Sequence, residues 1–117
     1  MNLYVSGEEE SLEKKMVSSY PQVDYDEADT VLILPGGLGS MNDLFQGILD
    51  KKDIYLYNKN SVFDSILRKL DYSYQEGRIT KSPLEEMTIS GDFMELLGKL
   101  EEKENGKTND GKTSQLL

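Results

Sequence analysis

An α/β fold, a small Rossmann-like parallel sheet of about four strands flanked by helices, is what this sequence predicts, and three observations predict it. Strand-like and helix-like segments alternate along the chain, as they do when parallel strands are joined by crossover helices. Thr30 to Leu34 (TVLIL) is a continuous β-branched and leucine run, the pattern of a strand covered on both faces. That run passes straight into Pro35-Gly36-Gly37, and a helical pattern begins just after Gly39.

Each element follows from local pattern. Asn2 to Ser6 reads as the first strand, ending at Gly7. Glu8 to Ser18 reads as a helix, because Leu12 and Met16 are four apart and Glu8, Glu9 and Glu10 suit the positive end of a helix dipole. Tyr20 and Pro21 end it. After the central strand, Met41, Leu44, Phe45, Ile48 and Leu49 share one helical face, with Ser40 placed to cap the start. Asp53 to Tyr57 is the next strand. Ser61 then starts a helix whose apolar stripe is Val62, Phe63, Ile66, Leu67, Leu70 and Tyr74, and Gly77 stops it. Ser82 to Glu85 resembles a capped short turn and Met87 to Ser90 a last strand. Asp92 and Glu95 form a capping box for a helix with Phe93, Leu96, Leu97 and Leu100 inward.

Residues 1–101 are read as one domain, since 117 residues at 37% hydrophobic and 30% charged content have room for one core. Residues 102–117 are polar, glycine-containing and aperiodic, so burial cannot offset the entropy of ordering them, and a disordered tail is expected. The chain has no cysteine and no histidine, which excludes disulfide scaffolds, thiolate zinc sites and histidine-based triads. No metal and no cofactor is expected. A net charge of −9 repels phosphate backbones and anionic headgroups and argues against nucleic-acid and membrane partners. The longest purely apolar run, Val31 to Leu34, is far short of the ~20 residues of a membrane span, and the amino-terminal sequence lacks a basic and an apolar leader region. A cytoplasmic location is expected.

The chemistry centres on Pro35-Gly36-Gly37-Leu38-Gly39-Ser40-Met41-Asn42-Asp43. Glycines let a backbone approach a ligand closely, and the N–H groups at a helix start form an anion site with the dipole behind them. A phosphate is the natural guest; a tight strand-to-helix turn is the plain alternative. Asp43 reads either as a ligand residue or as the acidic end of a capping box with Ser40. Ser6 and Gly7 end the first strand on the carboxyl edge, where a parallel sheet places its ligand crevice. Asn58 either touches ligand on that edge or forms a turn with Lys59 and Asn60. Tyr4, Tyr55 and Tyr57 read as packing residues, and the acidic run Glu8 to Glu10 as a solvated helix start. From Met16 to Asp50 there is no lysine or arginine, so a phosphate here relies on main-chain amides, Ser40 and residues distant in sequence or from another subunit. A monophosphate or a diphosphate-linked nucleotide fits that better than a triphosphate.

The stretch LILPGGLGSMNDLFQGI resembles the PGGxGTxxE signature of the LOG (LONELY GUY) family. The likeness runs from Glu27 to Leu100, through Asn58, Phe63-Asp64, the Gln75 to Ile79 helix end and Thr88-Ile89-Ser90, in the family's order and spacing. It implies a Rossmann-like domain related to the SLOG group of nucleotide-ligand sensors. LOG enzymes hydrolyse the N-glycosidic bond of nucleoside 5′-monophosphates. The resemblance implies that Ser40 stands for the phosphate-binding threonine and Asp43 for the catalytic glutamate. Asp43 draws that charge back by roughly 1 Å, a misplacement that costs ~10²-fold in rate. No arginine precedes Arg68, so the family's upstream catalytic arginine has no counterpart, and the family's second glycine-rich loop is missing between Tyr20 and Asp29.

A retained phosphate loop with lost catalytic groups points to a non-catalytic binder of a small nucleotide-derived molecule, with Ser6, Gly7, Pro35, Gly36, Gly37, Leu38, Gly39, Ser40, Met41, Asp43 and Asn58 as ligand residues. Domain economy fits a sponge for a nucleotide signal, as a phage protein opposing SLOG-based or cyclic ADP-ribose-type defence would be. The alternatives are a shortened phosphoribohydrolase that borrows Arg68 or Arg78 across a subunit interface, and a purely structural partner-binding domain. So small a sheet leaves apolar faces poorly covered, and family members dimerise, so a homo-oligomer is expected.

Overall fold

The computed structural model describes residues 1–7, 11–79 and 82–116, and the side chains of all of these except Pro83 and residues 107–116. The elements in chain order are β1 (Leu3–Ser6), α1 (Leu12–Met16), β2 (Thr30–Ile33), α2 (Leu38–Leu49), β3 (Asp53–Tyr57), α3 (Asp64–Gln75), α4 (Pro83–Glu86), β4 (Thr88–Ser90) and α5 (Phe93–Leu116). The strands form one four-stranded sheet in the order β1-β2-β3-β4, every pair parallel. Thr30 sits opposite Leu3 on one side and Asp53 on the other.

Strand side chains alternate between two cores, because successive Cβ atoms point to opposite faces. Val31, Ile33, Ile54 and Leu56 pack with Leu44 of α2 and with Phe63 and Leu67 at the head of α3. Leu3, Val5, Leu32 and Leu34 pack on the other face with Val17 and with Phe93, Leu96 and Leu100 of α5. Every residue of β2 is buried, which is why its sequence is a continuous apolar run instead of an alternating one.

The connection from β1 to β2 positions the site. Asn2 and Ser6 carbonyls accept from Thr30 and Leu34 amides in the direction of β2, whereas the Leu3 carbonyl accepts from Val23 on the opposite edge. Gln22 bridges Leu3 there. The chain therefore leaves β1 over the α5 face, touches its free edge, and returns through the turn Tyr25–Glu27 to enter β2 on the other side. Lys52 pins that turn: its Nζ donates to the Tyr25 carbonyl (3.0 Å) and the Ala28 carbonyl (2.8 Å) and lies 4.5 Å from the Tyr25 ring centroid. From β2 the chain crosses to the opposite face as α2. The carboxyl ends of β1 and β2 thus feed helices on opposite faces, the arrangement that opens a crevice at a topological switch point.

Three local expectations are corrected. First, α1 begins at Leu12, capped by Ser11, whose Oγ accepts from the Lys14 amide (3.2 Å); Glu8 to Glu10 lie outside the described residues. Leu12 is 69% exposed, and the buried apolar contact is Val17, just past the helix. Second, α2 starts at Leu38 with Gly37 as its cap residue (φ 72), so Ser40 is not the cap. Its buried stripe is Ser40, Leu44 and Gly47, while Phe45 (43%) and Leu49 (74%) face out. The reason is steric: a Cβ on Gly47 would lie 3.2 Å from Ile54 Cδ1, so the helix meets the sheet through its small residues. Third, α3 starts at Asp64, after a tight turn at Lys59–Ser61. Its end follows the sequence reading: Gly77 is left-handed (φ 76), and the Arg78 amide donates to the Ser73 carbonyl (2.9 Å), a Schellman closure.

α5 opens as the pattern predicts, with Asp92 Oδ1 accepting from the Met94 (3.0 Å) and Glu95 (3.4 Å) amides. The tail boundary at residue 102 is corrected, because α5 runs on and its next residues are anchored. Lys103 donates to Thr30 Oγ1 (2.7 Å) and to Asp53, and Glu104 pairs with the Met1 amino group (3.4 Å). The expected disorder of 107–117 falls on side chains outside those described. Lys103→Met is expected to cost about 1 kcal/mol, since Thr30 is fully buried and one acceptor contact is lost along with a partly exposed ion pair. A Tm lower by about 4–8 °C is the corresponding reading. A chain ending at residue 102 should show the same loss and one ending at residue 106 should not.

The phenols of Tyr4, Tyr20, Tyr25 and Tyr55 are all held above their ordinary value, in each case first by burial. The Asp43 carboxylate adds to this for Tyr4, Glu101 for Tyr20, a hydrogen bond to Asp50 for Tyr25 and Asp53 for Tyr55. A raised phenol stabilises the fold fully below the unfolded value of about 10, and that contribution is lost as pH rises through the folded value. Urea midpoints are therefore expected to fall above about pH 10, in step with tyrosinate absorbance. A midpoint unchanged at about pH 11 would contradict the burial of these rings.

Candidate functional site

The glycine loop leaves β2 at the switch point and is tied down from below. Ser40 Oγ, 2% exposed, donates to the Leu34 carbonyl at 2.6 Å, so the first turn of α2 is stitched to the end of the strand. Gly36 and Gly7 meet backbone to backbone. A Cβ on Gly36 would lie 2.5 Å from Ser40 Oγ and 3.0 Å from Gly7 Cα, and one on Gly7 (φ 153) would lie 2.6 Å from Leu34 Cβ. The two loops can approach only because neither carries a side chain. Gly37 and Gly39 differ, since a Cβ on either meets nothing within 4 Å. Leu38 and Gly39 are exposed at the start of a twelve-residue helix, whose first N–H groups have no intrahelical acceptor.

A cleft of about 410 Å³ opens beside this loop. Leu34, Pro35, Gly36, Gly37 and Met41 form one wall, and Ser11 and Glu13 of the α1 segment another. Lys59, Val62, Phe63 and Ile66 close the third side. Lys59 Nζ stands 3.8 Å from Glu13 Oε1.

A smaller cavity of about 280 Å³ lies behind the loop, lined by Tyr4, Ser6, Gly7, Gly39, Ser40 and Asp43 among others, with Lys14 at its edge. Here the Asp43 carboxylate accepts from Ser6 Oγ (2.6 Å) and from the Tyr4 hydroxyl (3.3 Å), both to Oδ2. Because α2 begins at Leu38, Asp43 lies in the second turn and reaches across to β1. The capping-box reading of Asp43 is thereby corrected. Tyr4 is a packing residue as expected, edge-on to Tyr25 at 5.7 Å, with a hydroxyl that also serves Asp43.

Most of the expected ligand residues thus gather on two cavities that share Gly36 in their linings. Ser6, Gly7, Gly39, Ser40 and Asp43 line the smaller one, Pro35, Gly37 and Met41 the larger, and Gly36 both. Leu38 is 81% exposed and lines neither. Asn58 is committed elsewhere: its Oδ1 accepts from the Phe63 amide and its Nδ2 donates to Asp64, each at 2.7 Å. It is the clamp of the turn, one of the two readings open for it. Sequence reading missed Glu13, Lys14 and Lys59. The one available signal was for Lys59, which follows directly on the carboxyl end of β3. Arg68 is exposed on α3, 3.4 Å from Ser65, and neither it nor Arg78 lines either cavity. Among the described residues no group of three or more acidic side chains is placed to hold a metal ion.

No helix among the described residues is long and apolar enough to cross a membrane. Compared with family models, with curated proteins and with solved structures, the chain finds no match in any of the three.

Proposed function

We propose that this chain binds a small nucleotide-derived molecule, with a phosphate or pyrophosphate group at Gly36–Ser40, and holds it without hydrolysing it. The observation that carries the reading is the open amide edge at Gly37–Gly39, set at the switch point beside a cleft of about 410 Å³. The LOG-like motif supports a nucleotide as the guest. Against hydrolysis stands the engagement of Asp43, whose nearer oxygen already takes two hydrogen bonds. Among the described residues no arginine lines the cavities to meet developing charge. Such a protein acts as a cytoplasmic sponge for a nucleotide signal of the cyclic ADP-ribose or other pyrophosphate-linked kind. A second copy of the chain is the proposed partner, because Phe45 and Leu49 leave an apolar stripe outward on α2.

Native mass spectrometry of freshly purified protein tests ligand and assembly together. Heat denaturation is expected to release a nucleotide-derived molecule chemically unaltered, and incubation with adenosine 5′-monophosphate to liberate no free base. Release of base at ordinary enzyme rates, abolished by Asp43→Asn, would establish a hydrolase instead. A nucleotide panel in which nothing binds more tightly than about 100 μM, or ~5.5 kcal/mol, would overturn the binding reading.

A further inference from the structure

The cleft carries two charged side chains that the glycine-loop reading leaves unused. Glu13 comes from α1 and Lys59 from the turn after β3, and they face each other at 3.8 Å. Glu13 is well covered, its side chain 18% exposed, while Lys59 is 53% exposed. A contact this long to a half-exposed lysine adds little to stability. Yet the turn that presents Lys59 is costly. Asn60 (φ 52) and Ser61 (φ 61) stand in succession in the left-handed region, where a serine is disfavoured. Asn58 locks the turn by bonding the Phe63 amide and Asp64. Backbone strain fixed from several sides is a recurrent property of ligand clamps.

The chemistry of the pair defines what can replace it. Lys59 supplies a mobile point charge suited to phosphate, in a part of the fold where Met16 to Asp50 supplies none. Glu13 is acceptor-only and partly desolvated, so a ligand displacing Lys59 from it has to bring donors of its own. Sugar hydroxyls are donors that add no charge. The longer, more highly charged tail of a triphosphate, reaching Glu13, brings repulsion instead.

Resting on the phosphate-loop reading above, we propose that Lys59 and Glu13 form a charge-and-hydroxyl filter, Lys59 taking the phosphate and Glu13 the ribose hydroxyls of a singly phosphorylated or diphosphate-linked nucleotide. Triphosphates are rejected by the same carboxylate.

Calorimetry with the full chain tests this, using adenosine, adenosine 5′-monophosphate, its 2′,3′-dideoxy analogue and adenosine 5′-triphosphate. Wild type is expected to prefer the monophosphate over the dideoxy analogue by about tenfold or more, the value of one good hydrogen bond to a charged group. Glu13→Ala should flatten that ratio, and Glu13→Gln should raise triphosphate affinity relative to monophosphate by about tenfold. Lys59→Met should weaken the monophosphate about tenfold and leave adenosine unchanged. Circular dichroism confirms that each variant folds. Ratios that stay within about twofold of wild type in all three variants overturn the filter while leaving the phosphate loop standing. A monophosphate that wild type binds no more tightly than about 1 mM also overturns the filter, and the wider nucleotide panel then judges the loop by itself.

Discussion

Gly36→Ala is expected to destabilise the fold by about 2–3 kcal/mol, lowering Tm by roughly 10–20 °C, the range of an overpacked core. The added methyl would sit 2.5 Å from Ser40 Oγ and 3.0 Å from Gly7 Cα. Neither neighbour yields easily. Ser40 is 2% exposed and its hydroxyl is bonded to the Leu34 carbonyl at 2.6 Å, while the Gly7 atom is main chain at the end of β1. The clash therefore parts the carboxyl ends of β1 and β2, whose ladder closes there with the Leu34 amide on the Ser6 carbonyl (2.7 Å). Gly7→Ala should be as severe, combining a 2.6 Å approach to Leu34 Cβ with a backbone at φ 153. Adding Ser40→Ala to Gly36→Ala should recover part of the loss, because it removes the nearer of the two obstacles. Urea denaturation of the three variants beside wild type measures this, and a Gly36→Ala midpoint equal to wild type would mean that the two loops are not packed against each other.

What was legible in the sequence follows the range of the force that shaped each part. The strands were readable to within a residue or two, because burial on both faces of β2 writes a local apolar run, Thr30 to Leu34. Helix ends marked by backbone geometry, such as Gly77, or by a cap such as Asp92, were readable for the same reason. The buried face of α2 was readable only in part, through Leu44 and Ile48, which pack on the core as the periodicity says. Periodicity weights large apolar residues, whereas contact with Ile54 selects Gly47 and the bond to the Leu34 carbonyl selects Ser40, leaving Phe45 and Leu49 outside. Lys103 was hidden in a polar stretch, since its partners Thr30 and Asp53 come from the other end of the chain.

The site divides along the same line. Its main-chain half, Pro35 to Ser40, is a contiguous motif and could be read directly. Its side-chain half depends on the switch point, which brings Glu13 and Lys59 to one cleft from opposite faces of the sheet. Asp43 shows how the two halves interact. Carrying a carboxylate one methylene shorter than glutamate, it bonds Ser6 at 2.6 Å behind the loop and is turned away from the larger cleft.

Gly39→Val is expected to abolish nucleotide retention, by about 100-fold or more, while leaving Tm within a few degrees of wild type. The fold tolerates it because a Cβ at this position meets nothing within 4 Å, and because Gly39 lies inside α2, where valine forms helix at least as well as glycine. Binding does not tolerate it, because the branched side chain stands over the first amides of the helix, where a phosphate has to come within hydrogen-bond distance of main-chain nitrogen. This contrast with Gly36→Ala is what makes the pair decisive. One glycine is needed by the protein's own packing and the other, with open space above it, only by a guest. Gly37 lies between the two cases, since its φ of 72 penalises any side chain whether or not a ligand is present. Calorimetry on Gly39→Val beside wild type, with circular dichroism and a thermal melt on each, reads both quantities. A variant that binds the panel as well as wild type would reduce Gly36 to Ser40 to a strand-to-helix turn.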